Sequence, residues 1–179
     1  MLESTSNPLL ILHWPAPILG RKATPIETFN DSLRSFAEAM IEAMYEAEGV
    51  GLAAPQVGAS IRLFVADPRE GDALDPVVFI NPTLELEGDW ISDEEGCLSI
   101  PDVRVHIRRP MASTIRAFDL DGNPFELKSD TLAARVWQHE TDHLDGILII
   151  DRMSPLDRLV TRKTLKELRT AAEEFDFDL

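Results

Sequence analysis

Apolar residues recur along this chain with two different periods, and the switches between them divide it into elements. Over residues 30–48, Leu33, Phe36, Ala37, Met40, Ile41 and Met44 fall at i, i+3, i+4, i+7, i+8 and i+11, the stripe of an amphipathic helix. Asn30 is suited to cap this helix and Gly49 to stop it. Shorter β-prone runs follow at residues 61–66, 77–81, 83–87, 104–106 and 113–118, punctuated by Asp67-Pro68, Asn81-Pro82 and Asp121-Gly122-Asn123-Pro124. Connections this short favour antiparallel pairing. Helical spacing returns at about residues 130–144, ended by Gly146, and at about 155–174, with Leu156, Leu159, Val160 and Leu168 near one face. The expected fold class is α+β: small antiparallel sheets packed around a central helix, flanked by an N-terminal and a C-terminal helix. No linker or internal repeat interrupts the pattern, so residues 1–179 are expected to form one domain.

The central helix changes the picture from fold to chemistry, because it carries His139-Glu140-Thr141-Asp142-His143. Four residues apart on a helix, His139 and His143 share a face and can grip one metal ion, while Glu140 can handle the proton of an activated water. A helical His pair can also be a satisfied surface or core pair. Context weighs against that: Trp137 precedes the pentad, and Leu144, Ile147, Leu148, Ile149 and Ile150 follow it. In an apolar setting two imidazoles and a carboxylate are costly unless something pairs them.

Two imidazoles leave such a site short of a third protein ligand, and Cys97 is the only cysteine. It lies in Glu94-Glu95-Gly96-Cys97-Leu98-Ser99. Alone it would read as a small buried hydrophobe; beside the His pair it completes a thiolate and two imidazoles, a catalytic set whose fourth position is open to water. A third segment, Gly49-Val50-Gly51-Leu52-Ala53-Ala54-Pro55-Gln56, reads as a helix stop and a turn. It lacks the Lys, Ser or Thr of a phosphate loop, and Gln56 ends it with an amide donor able to point at an oxyanion.

In this order the three segments resemble the peptide deformylase family. The resemblance rests on residues 49–56, on Glu95-Gly96-Cys97-Leu98-Ser99 and on Gln138-His139-Glu140-Thr141-Asp142-His143-Leu144-Asp145-Gly146, and residues 9–153 are family-like throughout. It implies a hydrolase that removes the formyl group from the N-terminal methionine of newly made bacterial-type proteins and releases formate. It also implies one divalent ion per chain on Cys97, His139 and His143, with Fe²⁺ favoured and Zn²⁺, Ni²⁺ or Co²⁺ able to substitute. By resemblance Glu140 is the proton carrier, and the Gln56 side chain and Leu98 backbone N–H are the oxyanion donors. The formyl-methionyl peptide is expected to pair as an added strand along an edge that includes Val50 and Gly51. Leu132 and Val136, seven and three residues before His139, are the candidates for an apolar methionine pocket. Glu95, Asp142 and Arg109 are candidates to orient the ligands or to form a buried ion network.

Charge and composition narrow the setting. A formal net charge of −15 disfavours DNA or anionic membranes as the main target. Residues 152–170 run against that balance, with six basic residues (Arg152, Arg158, Arg162, Lys163, Lys166, Arg169) against Asp157 and Glu167. In relatives with a C-terminal helix, that helix is thought to engage the ribosome, and the basic segment fits such a contact. The end, residues 173–179, is acidic and expected to fray. The first six residues lack a basic region followed by an apolar stretch, no run of about 18 apolar residues exists, and a thiolate ligand wants a reducing compartment. A cytoplasmic enzyme is expected. The loop at residues 15–20 has Gly20 where relatives often carry a basic residue.

Two other readings use the same residues. A zincin-type metallopeptidase would take its third ligand downstream, where Glu167 lies at a tolerable distance. A metal-holding nascent-chain binding module without turnover would have no use for Glu140 and Gln56.

Overall fold

Four consecutive apolar residues, Leu63-Phe64-Val65-Ala66, set the layering. In the computed structural model, which describes residues 8–71 and 73–176, they form strand β2 (Leu63–Ala66) and are buried on both faces. Leu63 and Val65 pack with Leu33, Met40 and Met44 of helix α1 (Asp31–Glu46). Phe64 and Ala66 pack with Val136, Trp137 and Leu144 of helix α2 (Leu132–Leu144). Each large side chain so buried is worth about 1.5–3 kcal/mol, which is why an unbroken apolar run is stable only between two layers.

Around β2 lie β1 (Gly51–Ala53), β3 (Val77–Cys97), β4 (Ile100–Phe118) and β5 (Pro124–Ser129), in one five-stranded antiparallel sheet of order β1-β2-β3-β4-β5. The expectation of several small sheets is corrected here: runs 77–81 and 83–87 belong to one strand, as do 104–106 and 113–118. Asn81-Pro82 does not turn the chain. Asn81 adopts a left-handed backbone (φ 50°), and its side chain pairs with Ile26, accepting from the N–H and donating to the carbonyl at 2.8 Å each. The missing proline N–H falls at that bulge, so β3 bends and continues. Beyond a second register shift near Gly88, β3 and β4 run on as a ribbon to the turn Leu98-Ser99. Ile100, Val105 and Ile107 line its apolar face, against Leu148, Ile149 and Met153.

The helix boundaries follow from local chemistry. Asn30 caps α1 as expected, its Oδ1 accepting from Leu33 N–H at 2.9 Å. The left-handed residue that closes α1 is Glu48 (φ 56°), not Gly49. Gly49 instead leaves room for Leu98: a Cβ there would come within 2.8 Å of a terminal methyl of that side chain, which would have to move aside. Helix α2 starts at Leu132, two residues later than expected, because Glu70 caps it from the β2–β3 loop, accepting from Thr131 Oγ1 and from Ala133 N–H. Gly146 (φ 73°) ends it, with Ile147 N–H returning to the Asp142 carbonyl at 2.9 Å.

The single C-terminal helix expected at 155–174 is two pieces, α4 (Pro155–Val160) and α5 (Arg162–Asp176), preceded by a short helix α3 (Ile149–Arg152). The expected grouping of Leu156, Leu159, Val160 and Leu168 near one face is also corrected. Leu156, Leu159 and Val160 are 67–73% exposed, while Leu165 and Leu168 pack against the third cluster. By helical spacing Leu168 lies about a third of a turn from Leu156 and Leu165 about half a turn, so the two sets face different ways. Helix α5 persists past Glu173; the rest of the expected fraying falls on residues 177–179, outside the described residues. No helix among the described residues is long and apolar enough to cross a membrane.

Candidate active site

Helix α2 brings His139 and His143 onto one face, and the β3–β4 turn delivers Cys97 to it. Cys97 Sγ lies 3.2 Å from His143 Nε2, and one ligand atom from each of the three residues falls within 4.8 Å of the others. This donor set fits a divalent transition metal. Burial holds His143 well below the ordinary imidazole pKa, in the neutral form that ligates. Glu95 Oε2 sits 3.1 Å from His139 Nδ1 and accepts from it, which orients the ring with its other nitrogen free for an ion.

Glu95 is itself held by a buried network. Its Oε1 accepts from Arg109 Nε and Arg135 Nη1, each at 2.6 Å, and its Oε2 accepts from Arg109 Nη2 at 2.9 Å. Although burial opposes ionisation, hydrogen bonds from His139 and Arg109 hold its carboxyl well below the usual carboxylate range. Arg109 also donates to Asp142 Oδ2 at 2.8 Å, and Arg152 of α3 grips the same carboxylate with Nε at 2.6 Å. Glu95, Asp142 and Arg109 are thus joined in the buried network that was one of their two expected roles.

Glu140 lies next to this cluster and is fully enclosed. Its Oε2 has no hydrogen-bond partner, and desolvation pushes its pKa up to about 7. It packs over Gly51 of β1, where a Cβ would come within 2.8 Å of the carboxyl carbon. Glycine is required there so that the acid and the strand can share the space. Gln56 is buried with its amide orientation locked: Oε1 accepts from Ala53 N–H at 2.8 Å, so Nε2 faces Ser99 Oγ at 3.1 Å and Cys97 Sγ at 3.7 Å. Leu98 occupies the adjoining turn.

These residues line a cleft of about 770 Å³. Glu48, Gly49, Val50 and Gly51 form one wall, the Cys97 turn and Val103 another, and α2 the floor through Leu132, Val136, His139 and Glu140. β1 is an outer strand of the sheet, so its far edge is open to pairing. Val136 is buried, whereas Leu132 is half-exposed at the edge of the floor. Glu167 is not in the cleft: it sits exposed on α5, 3.7 Å from Lys163, so the peptidase reading loses its third ligand.

Residues 8–159 match the family model for polypeptide deformylase. The chain belongs to that family. A peptide deformylase of Brucella suis biovar 1 is 46% identical over 164 residues, which span 90% of this chain and 93% of the relative. One from Thermotoga petrophila is 47% identical over 153 residues, spanning 85% and 91%. The crystal structure of a plant peptide deformylase superposes with a TM-score of 0.90 at 37% identity, covering 95% of this chain and 94% of that one. That of the Thermotoga maritima peptide deformylase gives 0.79 at 43% identity, covering 83% and 99%. This deformylase is a hydrolase that removes the N-formyl group from nascent polypeptides, and its family is metal-dependent.

Three residues of the deformylase site escaped the sequence reading. Arg135 precedes His139 by four and so shares its helix face, a usable signal for a second cation on Glu95. Ser99 ends a quoted motif but nothing in spacing shows that it takes a Gln56 amide hydrogen. Arg152 was read only as part of a basic segment, and its contact with Asp142 depends on the fold of α3.

Proposed function

We propose that this deformylase works through Cys97, His139 and His143 as metal ligands, with Fe²⁺ as the ion in the cell, and through Glu140, Gln56 and Leu98 as the groups that act on the formyl amide. The observation that carries this reading is the enclosed Glu140 carboxylate, one oxygen unpartnered, held over Gly51 beside a three-donor cluster in a peptide-sized cleft.

A bound divalent ion supplies Lewis acidity, which makes water nucleophilic near neutral pH. Glu140 takes a proton from the attacking water and passes it to the departing amine, so that water and the formamide become formate and a free N-terminus. The Gln56 Nε2, turned inward by the Ala53 N–H, and the Leu98 N–H donate to the carbonyl oxygen as negative charge gathers there. The peptide lies along the open edge of β1 at Val50 and Gly51, bonded through its backbone, so sequence beyond methionine is read weakly. Val136, with Leu132 at the rim, receives the methionine side chain.

The reading extends to the setting: one catalytic domain in the cytoplasm, acting on chains as they leave the ribosome. The basic residues of 152–170 would draw it to rRNA phosphates in a salt-dependent way. Reversing the charges of Arg162, Lys163 and Lys166 should release it from ribosome pellets, and unchanged pelleting would remove that part. The ligand assignment is tested by Cys97→Ala. Loss of both bound metal and formate release is expected; a variant that keeps its metal and cleaves internal peptide bonds would favour the metallopeptidase instead.

A further inference from the structure

One face of α4 has no task in the chemistry above. Leu156, Leu159 and Val160 fall at i, i+3 and i+4, and all three are exposed, at 69%, 67% and 73%. The helix itself is firmly set: Ser154 Oγ accepts from Asp157 N–H at 3.1 Å, and Thr161 Oγ1 bonds the Asp157 carbonyl at 2.8 Å. Thr161 is buried and Leu165 and Leu168 pack inward, so the Leu156 stripe is turned outward by the rest of the segment. Three large apolar side chains on less than two turns are more than the scatter of single exposed residues on an ordinary surface.

The position of this face says what covers it. Val160 belongs both to the stripe and to the lining of the catalytic cleft, as do the neighbouring Thr161 and Thr164 to that lining. The stripe is therefore continuous with the cleft rim. An extended peptide that leaves the cleft past Val160 meets the stripe within a few residues, at about 3.3 Å per residue.

We propose that Leu156, Leu159 and Val160 form an apolar landing surface for the substrate chain downstream of its formyl-methionine, favouring substrates with apolar side chains a few residues after it. The proposal rests on the deformylase reading of the cleft. It adds a preference for nascent-chain sequence that backbone pairing on β1 cannot supply.

The experiment compares metal-loaded enzyme and the double variant Leu156→Ser/Leu159→Ser on three substrates. One is a formyl-methionyl dipeptide, one a formyl-methionyl hexapeptide with leucine and phenylalanine downstream, and one the same hexapeptide with serine there. Wild type should turn over the apolar hexapeptide with a kcat/KM about 5-fold above the serine one, the order expected from partly covering two leucines. The double variant should lose that ratio while matching wild type on the dipeptide. A ratio near one in wild type, or one that survives in the variant, overturns the proposal. So does sedimentation showing a wild-type dimer that the variant breaks without any change in the ratio, since a second copy would then be the occupant. Failure of wild type on the dipeptide would instead count against the deformylase reading itself.

Discussion

Gly51 shows how much of this site is decided atom by atom. Its missing Cβ leaves room for the Glu140 carboxyl, so Gly51→Ala should displace the acid and lower kcat/KM for a formyl-methionyl peptide by about 100-fold, the range for losing an aligned proton carrier. Metal content should stay unchanged; activity within twofold of wild type would mean that Glu140 need not lie where it does. A second single-residue test is independent of the metal. Tyr45, the only tyrosine, donates to Asp67 Oδ2 at 2.6 Å, and its pKa is pushed up to about 12 by burial and by the Asp67 hydrogen bond. The folded state holds that proton more tightly than the unfolded chain, whose tyrosine titrates near 10. The resulting stability is fully present below pH 10 and is lost as pH rises toward 12. Tyrosinate absorbance should appear late in an alkaline titration of folded protein; a midpoint near 10 would show that the bond does not persist in solution. At this scale the grouping of residues was legible in the chain: Gln56, Cys97, His139 and Glu140 line one cleft, and His143 lies beside Cys97. What remained hidden were the supports, such as Arg152 on Asp142, because contacts between elements leave no periodic trace.

Elements were read well where a period is sustained and poorly where it is broken. Helix α1 carries a full apolar stripe and an asparagine cap, and it forms as expected apart from its closing residue. The long strands were read as fragments. Over residues 83–95 most β3 side chains are exposed, so alternation fades, and Asn81-Pro82 looks like a turn although Ile26 splints it into a bulge. The start of α2 depends on a residue about 60 positions away, Glu70, which takes the place of an adjacent cap. Glu70→Ala should therefore cost about 1 kcal/mol in denaturant unfolding, at the modest end because the carboxylate is exposed. The ligands lie in the later turns of α2, so the loss should leave formate release in the unstressed protein nearly unchanged. No change in unfolding midpoint would mean that water caps α2 equally well.

At the scale of the whole molecule, three apolar clusters hold the parts in register. α1 covers one face of the sheet, α2 covers the other, and the C-terminal helices clamp the ribbon that carries Cys97. The thiol comes from one end of a long hairpin and the imidazoles from a helix across the sheet, so the cluster exists only in the folded chain. Metal binding and folding are therefore linked. The α+β class was legible in the chain; the merging of strands into one sheet and the breaking of the last helix were not, since both are settled by what packs against what. The most direct measurement is formate release from a short formyl-methionyl peptide by anaerobically prepared protein loaded with Fe²⁺, set beside a Glu140→Gln variant shown to hold the same metal. Release by the native chain, reduced by at least about 100-fold in the variant, is the expected result. Equal release by both would remove Glu140 from the chemistry, and no release from a native chain carrying one ion would contradict the proposed reaction at this site.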